Sequence, residues 1–221
     1  MPPRLARILQ RYFGLNLYRV LARPLDPEPR AAAAGMRLAL LGETELLGHC
    51  RDAGLELPAA SARASLARGD LCVGALENDR LLGYAWFAFG ATPESDGVWI
   101  DLDRRATYSY RHFVRPEARG RRIAAMLVTA ADAACMQRGV SRYVTLIYTH
   151  NRASIRASLR SGAGSVGYAA CLRLFGRALS WRSPGARREG LRFFRPQSNL
   201  SPFSFAMRRL ASMLAATTSR N

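Results

Sequence analysis

The sequence contains no lysine: all 33 basic residues are arginine, set against only 16 acids, for a formal net charge of +17. Histidine is scarce, with three residues, and the four cysteines (Cys50, Cys72, Cys135 and Cys171) are scattered without CxxC or metal-ligand spacing. That scatter argues against a cysteine-built metal site or a disulfide framework and leaves the thiols to pack as small apolar groups, as in a reducing compartment. No apolar run is long enough to cross a bilayer, and Met1-Pro-Pro-Arg has neither the apolar region nor the small-residue cleavage site of a secretory leader. A cytoplasmic location is therefore expected, with peripheral attachment to an anionic membrane surface as the alternative that the charge leaves open.

What is present suffices for one buried core. The chain has 221 residues, 49% of them hydrophobic, which favours a single domain with segments left over at both ends. The reading divides it into a basic N-terminal segment and linker (1–35), a central domain (36–181) and an Arg-rich tail (182–221). A field of this sign attracts anions, whether CoA, an acidic acyl carrier protein, nucleic acid or lipid headgroups, and does not choose among them. The tail reads either as a solvated segment or as a binding device. Residues 203–215 have the spacing of an amphipathic helix.

Residues 4–13 place Leu5, Ile8, Leu9 and Tyr12 at helical spacing among arginines. A strand over 15–22 and a Pro/Ala linker follow. The pattern then predicts a strand at 36–41, helices at 43–51 and 58–68, and strands at 71–76 and 81–89 joined through Glu77-Asn78-Asp79-Arg80, a hairpin turn signal. A polar loop at 90–97 precedes a short inserted strand at 98–102 and a strand at 107–114. A helix over 121–138, a strand at 143–148, a helix at 152–161 and a strand at 166–173 complete the order.

The stretch richest in chemistry is Val114-Arg-Pro-Glu-Ala-Arg-Gly-Arg-Arg-Ile-Ala124. A strand stops at a proline, an Arg/Gly-rich turn follows, and a helix begins. Such a turn aims several backbone N–H groups in one direction and adds a helix N-terminus, which together suit phosphate oxygens. Gly120 lets a ligand approach the backbone closely. About 30 residues later comes Asn151-Arg-Ala-Ser-Ile-Arg-Ala-Ser-Leu-Arg-Ser-Gly162, in which Asn151 also suits the N-cap of the following helix.

These two segments resemble the GNAT (Gcn5-related N-acetyltransferase) superfamily. Arg119–Ala124 is similar to its acyl-CoA pyrophosphate loop, Arg/Gln-x-x-Gly-x-Gly/Ala, with Arg122 where the family usually has its middle glycine. Asn151, Ser154 and Gly162 match the segment after the family's fifth strand, whose Asn contacts the pantetheine arm. The resemblance covers roughly 36–173. It implies an α/β (α+β) fold: a mixed, largely antiparallel central sheet flanked by helices, whose fourth and fifth strands splay to form a cleft. It further implies acetyl-CoA or another acyl-CoA as co-substrate, no metal, and a small-molecule or peptide amine as acceptor. The cofactor contacts implied are Arg119, Gly120, Arg121, Arg122, Ile123, Ala124, Asn151, Ser154 and Ser158, with a backbone N–H at Phe113 or Val114 meeting the oxyanion.

Acyl transfer to an amine also needs a base and a proton for the leaving thiolate. Where many members carry a tyrosine, this chain has Ser158, so Tyr168 on the next strand is the substitute considered. Alternation in Thr107-Tyr-Ser-Tyr-Arg-His-Phe-Val114 places Tyr108, Tyr110, His112 and Val114 on one face. His112 is either the general base, for which its ordinary pKa is suited, or a histidine hydrogen-bonded beside the sheet. Asp101 and Asp103 read either as carboxylates that bind a cationic acceptor or as loop acids paired with Arg104 and Arg105. The same residues also allow an acyl-CoA-binding module without turnover.

Overall fold

The computed structural model describes residues 14–196 apart from 27, 29–34, 96 and 175–176. The amphipathic segments expected at 4–13 and 203–215 lie outside the described residues.

An eight-stranded sheet organises the molecule. Its strands are β1 (Leu15–Pro24), β2 (Arg37–Leu40), β3 (Leu71–Glu77), β4 (Arg80–Ala88), β7 (Ala106–Val114), β8 (Arg142–Tyr148), β9 (Gly164–Leu174) and β10 (Arg177–Arg182), in the spatial order β10-β9-β1-β8-β7-β4-β3-β2. A second sheet of three short strands, β5 (Thr92–Ser95), β6 (Val98–Asp101) and β11 (Arg192–Phe194), is ordered β11-β6-β5. Every pairing in the large sheet is antiparallel except β7 with β8. The helices are α1 (Glu43–His49), α2 (Ala59–Ala67), α3 (Ile123–Ala130), α4 (Asp132–Gln137), α5 (Arg152–Arg160) and α6 (Pro184–Arg188).

The expected α/β class is what the structure has, and the reasons are local. β3 and β4 turn through Asn78 and Asp79, both with left-handed backbone (φ 49° and 60°), as the sequence of that hairpin suggests. β4 is buried from Leu81 to Ala88 because it has neighbours on both edges and packed layers on both faces. One face carries Tyr18, Tyr84, Trp86, Tyr108 and Tyr110; the other packs Leu21, Phe87 and Tyr143 against Ile123, Leu127 and Ile155 of α3 and α5.

Four expectations change. Leu15–Pro24, set apart with the N-terminal segment, is an interior strand between β8 and β9, held by pairings such as Tyr18↔Tyr148 and Tyr18↔Ala169. The polar loop at 90–97 contains β5, and the single helix expected over 121–138 starts at Ile123 and breaks at Ala131 into α3 and α4. The tail is docked through residue 194: β11 pairs with β6, and buried Glu189 meets Arg142 at 3.2 Å. Short strands and a short helix give no periodicity to read, and the place of β1 in the sheet is decided by partners far away in the sequence.

The docking of α6 is tight. A methyl on Gly185 would stand 1.8 Å from the Val166 carbonyl oxygen of β9. Gly185→Ala is therefore expected to destabilise the protein by about 1–3 kcal/mol through overpacking, read as a lower midpoint in chemical denaturation.

Candidate active site: a splayed strand pair and an N–H-lined turn

β7 and β8 pair in register only from Ala106↔Arg142 to Tyr108↔Val144, although both strands run on, to Val114 and Tyr148. Beyond Tyr108 they diverge. The edge of each strand that faces the other then lacks its ladder, which makes a cleft able to take an extended amide-bearing chain as a strand would be taken. Because the two strands are parallel, their C-terminal ends lie on the same side, and both candidate segments, 114–124 and 151–162, begin there.

The turn after β7 is anchored before it is shaped. Arg115 is buried: its N–H donates to the Leu82 carbonyl at 2.8 Å, its Nε to the Leu81 carbonyl at 2.7 Å, and its guanidinium pairs with Asp52. Pro116–Ala118 then forms a single 3-10 turn. Gly120 (φ 85°) and Arg122 (φ 60°) both take the left-handed conformation, and α3 starts at Ile123. Among the described residues, the backbone N–H groups of Gly120, Arg121, Arg122, Ile123 and Ala124 have no acceptor. Alternating left-handed residues turn successive N–H groups inward as a nest, and the N-terminus of the eight-residue α3 adds its partial positive charge. A Cβ built on Gly120 would meet nothing within 4 Å, so the concavity is open.

The three arginines of this turn differ. Arg121 is held by Glu77, and Arg119 reaches the Val114 carbonyl at 3.3 Å. Arg122 accepts at its carbonyl from the Ala125 and Met126 N–H groups, while its side chain has no hydrogen bond or ion pair among the described residues. It also explains the glycine usual at this place, because the backbone there is left-handed whether or not the residue suits it. Arg122→Gly is expected to raise stability by about 1 kcal/mol, by removing the left-handed penalty of a residue with a Cβ. An unchanged or lower denaturation midpoint counts against this geometry.

The second segment supplies Asn151, whose Oδ1 accepts from the Ser154 N–H at 3.1 Å, so the N-cap reading holds in the structure. Ser158 is buried on the inner side of α5. Close by lies the Tyr143 hydroxyl, buried without a well-formed hydrogen bond and directed toward Thr145, Ser158 and Ser109; its pKa is raised, first by burial. Sequence reading gave Tyr143 only as the start of a strand, because nothing in its spacing distinguishes it.

β7 departs from simple alternation. Trp86 pairs with Tyr110 and Tyr84 with Phe113, so one residue of β4 spans two of β7, Arg111 and His112, with Arg111 left-handed at φ 47°. Gly83 makes room for the bulged strand, since a Cβ there would be 2.7 Å from the Phe113 carbonyl oxygen. The extra residue turns His112 to the face opposite Tyr108 and Tyr110, where its Nε2 sits 2.5 Å from Ser109 Oγ. The expectation that His112 shares a face with the two tyrosines is therefore corrected. Crowding by protein pulls its imidazole down from 6.5 to about 4, although solvent still reaches the ring and offsets part of that push. A neutral imidazole with so little affinity for a proton is better placed to hydrogen-bond beside the sheet than to act as a base. Past the bulge, Phe113 and Val114 pair with β4 again. Consecutive N–H groups point to opposite edges of a strand, so one of these two aims into the cleft.

The remaining candidates are not brought to the cleft. Tyr110 donates to Asp70 Oδ2 at 2.6 Å, and its oxygen lies 2.9 Å from the Ser65 hydroxyl and accepts from Arg68 at 3.1 Å. Burial, then Asp70, raises its pKa, so it is a structural phenol. Tyr168 is on β9, and with β1 and β8 intervening it stands roughly 14 Å from β7 at one strand spacing per step. It is half exposed, and the sequence offered no sign that β1 separates it from the cleft. Asp101 is paired with Arg192 at 2.7 Å, and Asp103 caps its own turn by accepting from the Arg105 N–H at 2.8 Å. Both follow the loop-acid reading, and Arg192 of β11 is a partner of Asp101 that the sequence did not suggest.

One acid was missed. Glu94 of β5 accepts a hydrogen bond from the Tyr108 hydroxyl at 2.6 Å beside the point of divergence, and desolvation raises its pKa despite help from Tyr108 and Tyr18. It lay in a stretch read as a polar loop, and no motif marks it.

Residues 44–162, more than half of the chain, match the Acetyltransferase (GNAT) family. Among curated proteins none matches. Solved structures share the fold at low identity. A putative GNAT-family acetyltransferase from Novosphingobium aromaticivorans is 19% identical with a TM-score of 0.50, over 77% of this chain and 78% of that one. A Drosophila protein is 12% identical with a TM-score of 0.49 over 78% of this chain, which spans only 57% of it. A putative acetyltransferase from Salmonella typhimurium, solved with its cofactor acetyl-CoA, is 17% identical with a TM-score of 0.44, over 76% of this chain and 98% of that one.

Proposed function

Because the chain belongs to the GNAT acetyltransferase family, we propose that it is an acyl-CoA-dependent N-acyltransferase that passes an acyl group, acetyl by default, directly from the thioester to an amine. The observation that carries this reading is the set of five acceptor-free N–H groups from Gly120 to Ala124 at the open end of the β7/β8 splay. That turn suits the pyrophosphate, with Arg119, Arg121 and Arg122 at its rim, and the splayed edges with Asn151, Ser154 and Ser158 suit the pantetheine arm. An N–H of Phe113 or Val114 then serves the oxyanion, which forms when the amine nitrogen attacks the thioester carbonyl. A longer acyl chain, or delivery by an acidic acyl carrier protein, is a variant favoured by the +17 charge. The charge likewise favours weak binding to nucleic acid or anionic membrane and fits a cytoplasmic protein working near such surfaces.

Ser158, together with the positions of Tyr110 and Tyr168, favours a second reading: an acyl-CoA-binding module without turnover. Thiol release from acetyl-CoA over a panel of primary amines separates the two. Amine-dependent CoA release supports the transferase, whereas saturable acetyl-CoA binding with no release on any amine supports the module.

A further inference from the structure

The chain carries 33 arginines, and they have found its buried acids. Asp70 is met by Arg68 at 2.7 Å, Asp132 by Arg23 at 2.7 Å and Glu189 by Arg142 at 3.2 Å. Glu94 is different. Protein crowds its carboxylate, yet no ion pair reaches it among the described residues; its direct hydrogen-bond partner is a phenol, Tyr108 at 2.6 Å, with the Tyr18 hydroxyl near enough to favour the charged form. Arg111 acts on it only through space, since its guanidinium donates to Ser61 at 2.7 Å and lies 6.0 Å from the Tyr110 ring centroid.

The surroundings are aromatic. Tyr18 stacks on Tyr148 with ring centroids 5.0 Å apart and on Phe193 at 6.0 Å, and Tyr148 stacks on His150 at 5.5 Å. Tyr148, His150, Phe193 and Glu94 are each only partly buried, so the group opens to solvent. It sits on the sheet face opposite α3, beside the divergence of β7 and β8, since Tyr108 is in the last parallel pair and Tyr148 is further along the splayed β8. A crowded carboxylate without a cation is costly to keep, and aromatic faces attract cations. Among the described residues this carboxylate is lined by phenols and paired with no arginine, so a cation from outside can fill the place.

We propose that Glu94, walled by Tyr18, Tyr108, Tyr148 and Phe193, receives the ammonium group of the acceptor, and that the acceptor class is a primary amine carried on an apolar or aromatic group. The proposal rests on the amine-acceptor reading above and narrows it. It also gives a role to the two chain ends set apart on sequence grounds. β1 supplies Tyr18 and β11 supplies Phe193, so the acceptor wall is assembled from segments that flank the CoA-side elements.

The test compares two probes of equal shape on the full-length protein: phenethylammonium chloride and neutral 2-phenylethanol, each titrated in the presence of CoA, which carries no acyl group to transfer. The wild type is expected to bind the ammonium at least tenfold more tightly, and Glu94→Gln, which keeps the shape and removes the charge, is expected to abolish that preference. Equal affinity for the two probes, or a preference that survives in a folded Glu94→Gln protein, overturns the proposal. Tyr108→Phe gives an independent reading because it keeps the ring and removes the hydroxyl that orients Glu94. It is expected to cut the preference severalfold, and an undiminished preference also overturns the proposal. Acetyl-CoA titrated alone distinguishes the layers. Binding of acetyl-CoA without ammonium preference defeats the pocket only, whereas no acetyl-CoA binding defeats the transferase reading on which it rests.

Discussion

Gly120→Glu is expected to weaken acetyl-CoA binding at least 100-fold in a calorimetric titration while the protein stays folded by circular dichroism. Three effects act together. Gly120 is left-handed at φ 85°, a conformation that costs a residue with a Cβ about 1–2 kcal/mol. The turn presents five N–H groups without acceptors, and a carboxylate planted among them competes for the donors that phosphate needs. The added charge also repels the pyrophosphate at close range. A 100-fold loss corresponds to about 2.8 kcal/mol at about 1.4 kcal/mol per factor of ten, which these effects reach without disturbing the core. The fold is expected to survive because the space above Gly120 is open. Binding that persists undiminished in the variant rejects the assignment of this turn.

The largest stability effect is expected at the opposite end of the cleft layer, where Arg23 of β1 meets Asp132 of α4. Arg23 donates from Nη1 to Oδ2 at 2.7 Å and from Nη2 to Oδ1 at 2.8 Å, lies over the Tyr143 ring at 5.2 Å, and both side chains are almost wholly buried. The Asp26 N–H also donates to Asp132 at 3.0 Å, so the carboxylate ties the strand and the chain beyond it to the helix layer. Removing one partner leaves an uncompensated buried charge, and Asp132→Ala or Arg23→Ala is expected to cost about 3–5 kcal/mol. Against a typical total of about 5–15 kcal/mol, that is a large share of the stability. Replacing both, as Arg23→Met with Asp132→Leu, is expected to recover most of the loss, since no charge is then stranded. A double variant as unstable as the singles in urea denaturation refutes this account of the pair.

The sequence made the donor side legible and the acceptor side almost illegible, for a physical reason. A phosphate-binding turn is made of consecutive residues, so Arg119–Ala124 carries its geometry in one short string, and Asn151 announces both a helix start and a family position. The interior place of β1 was not legible. Strand order is decided by long-range pairing, and Leu15–Pro24 reads the same whether it lies at an edge or between β8 and β9. The face of His112 was misplaced because alternation presumes an unbroken pleat, and room for the bulge at Arg111 comes from Gly83 on another strand. Glu94, Tyr18, Tyr108 and Phe193 come from four separate strands, so no local pattern joins them. The wall facing the acceptor exists only in the folded chain.

The central claim, that acyl-CoA is held by the turn at Gly120–Ala124 and enters between β7 and β8, is tested most directly by amide NMR of the full-length protein titrated with acetyl-CoA. One saturable site is expected, with the largest shifts at the N–H groups of Gly120–Ala124 and along the splayed residues of β7 and β8. Saturable binding that leaves those amides unmoved, or shifts confined to other surfaces, contradicts the claim.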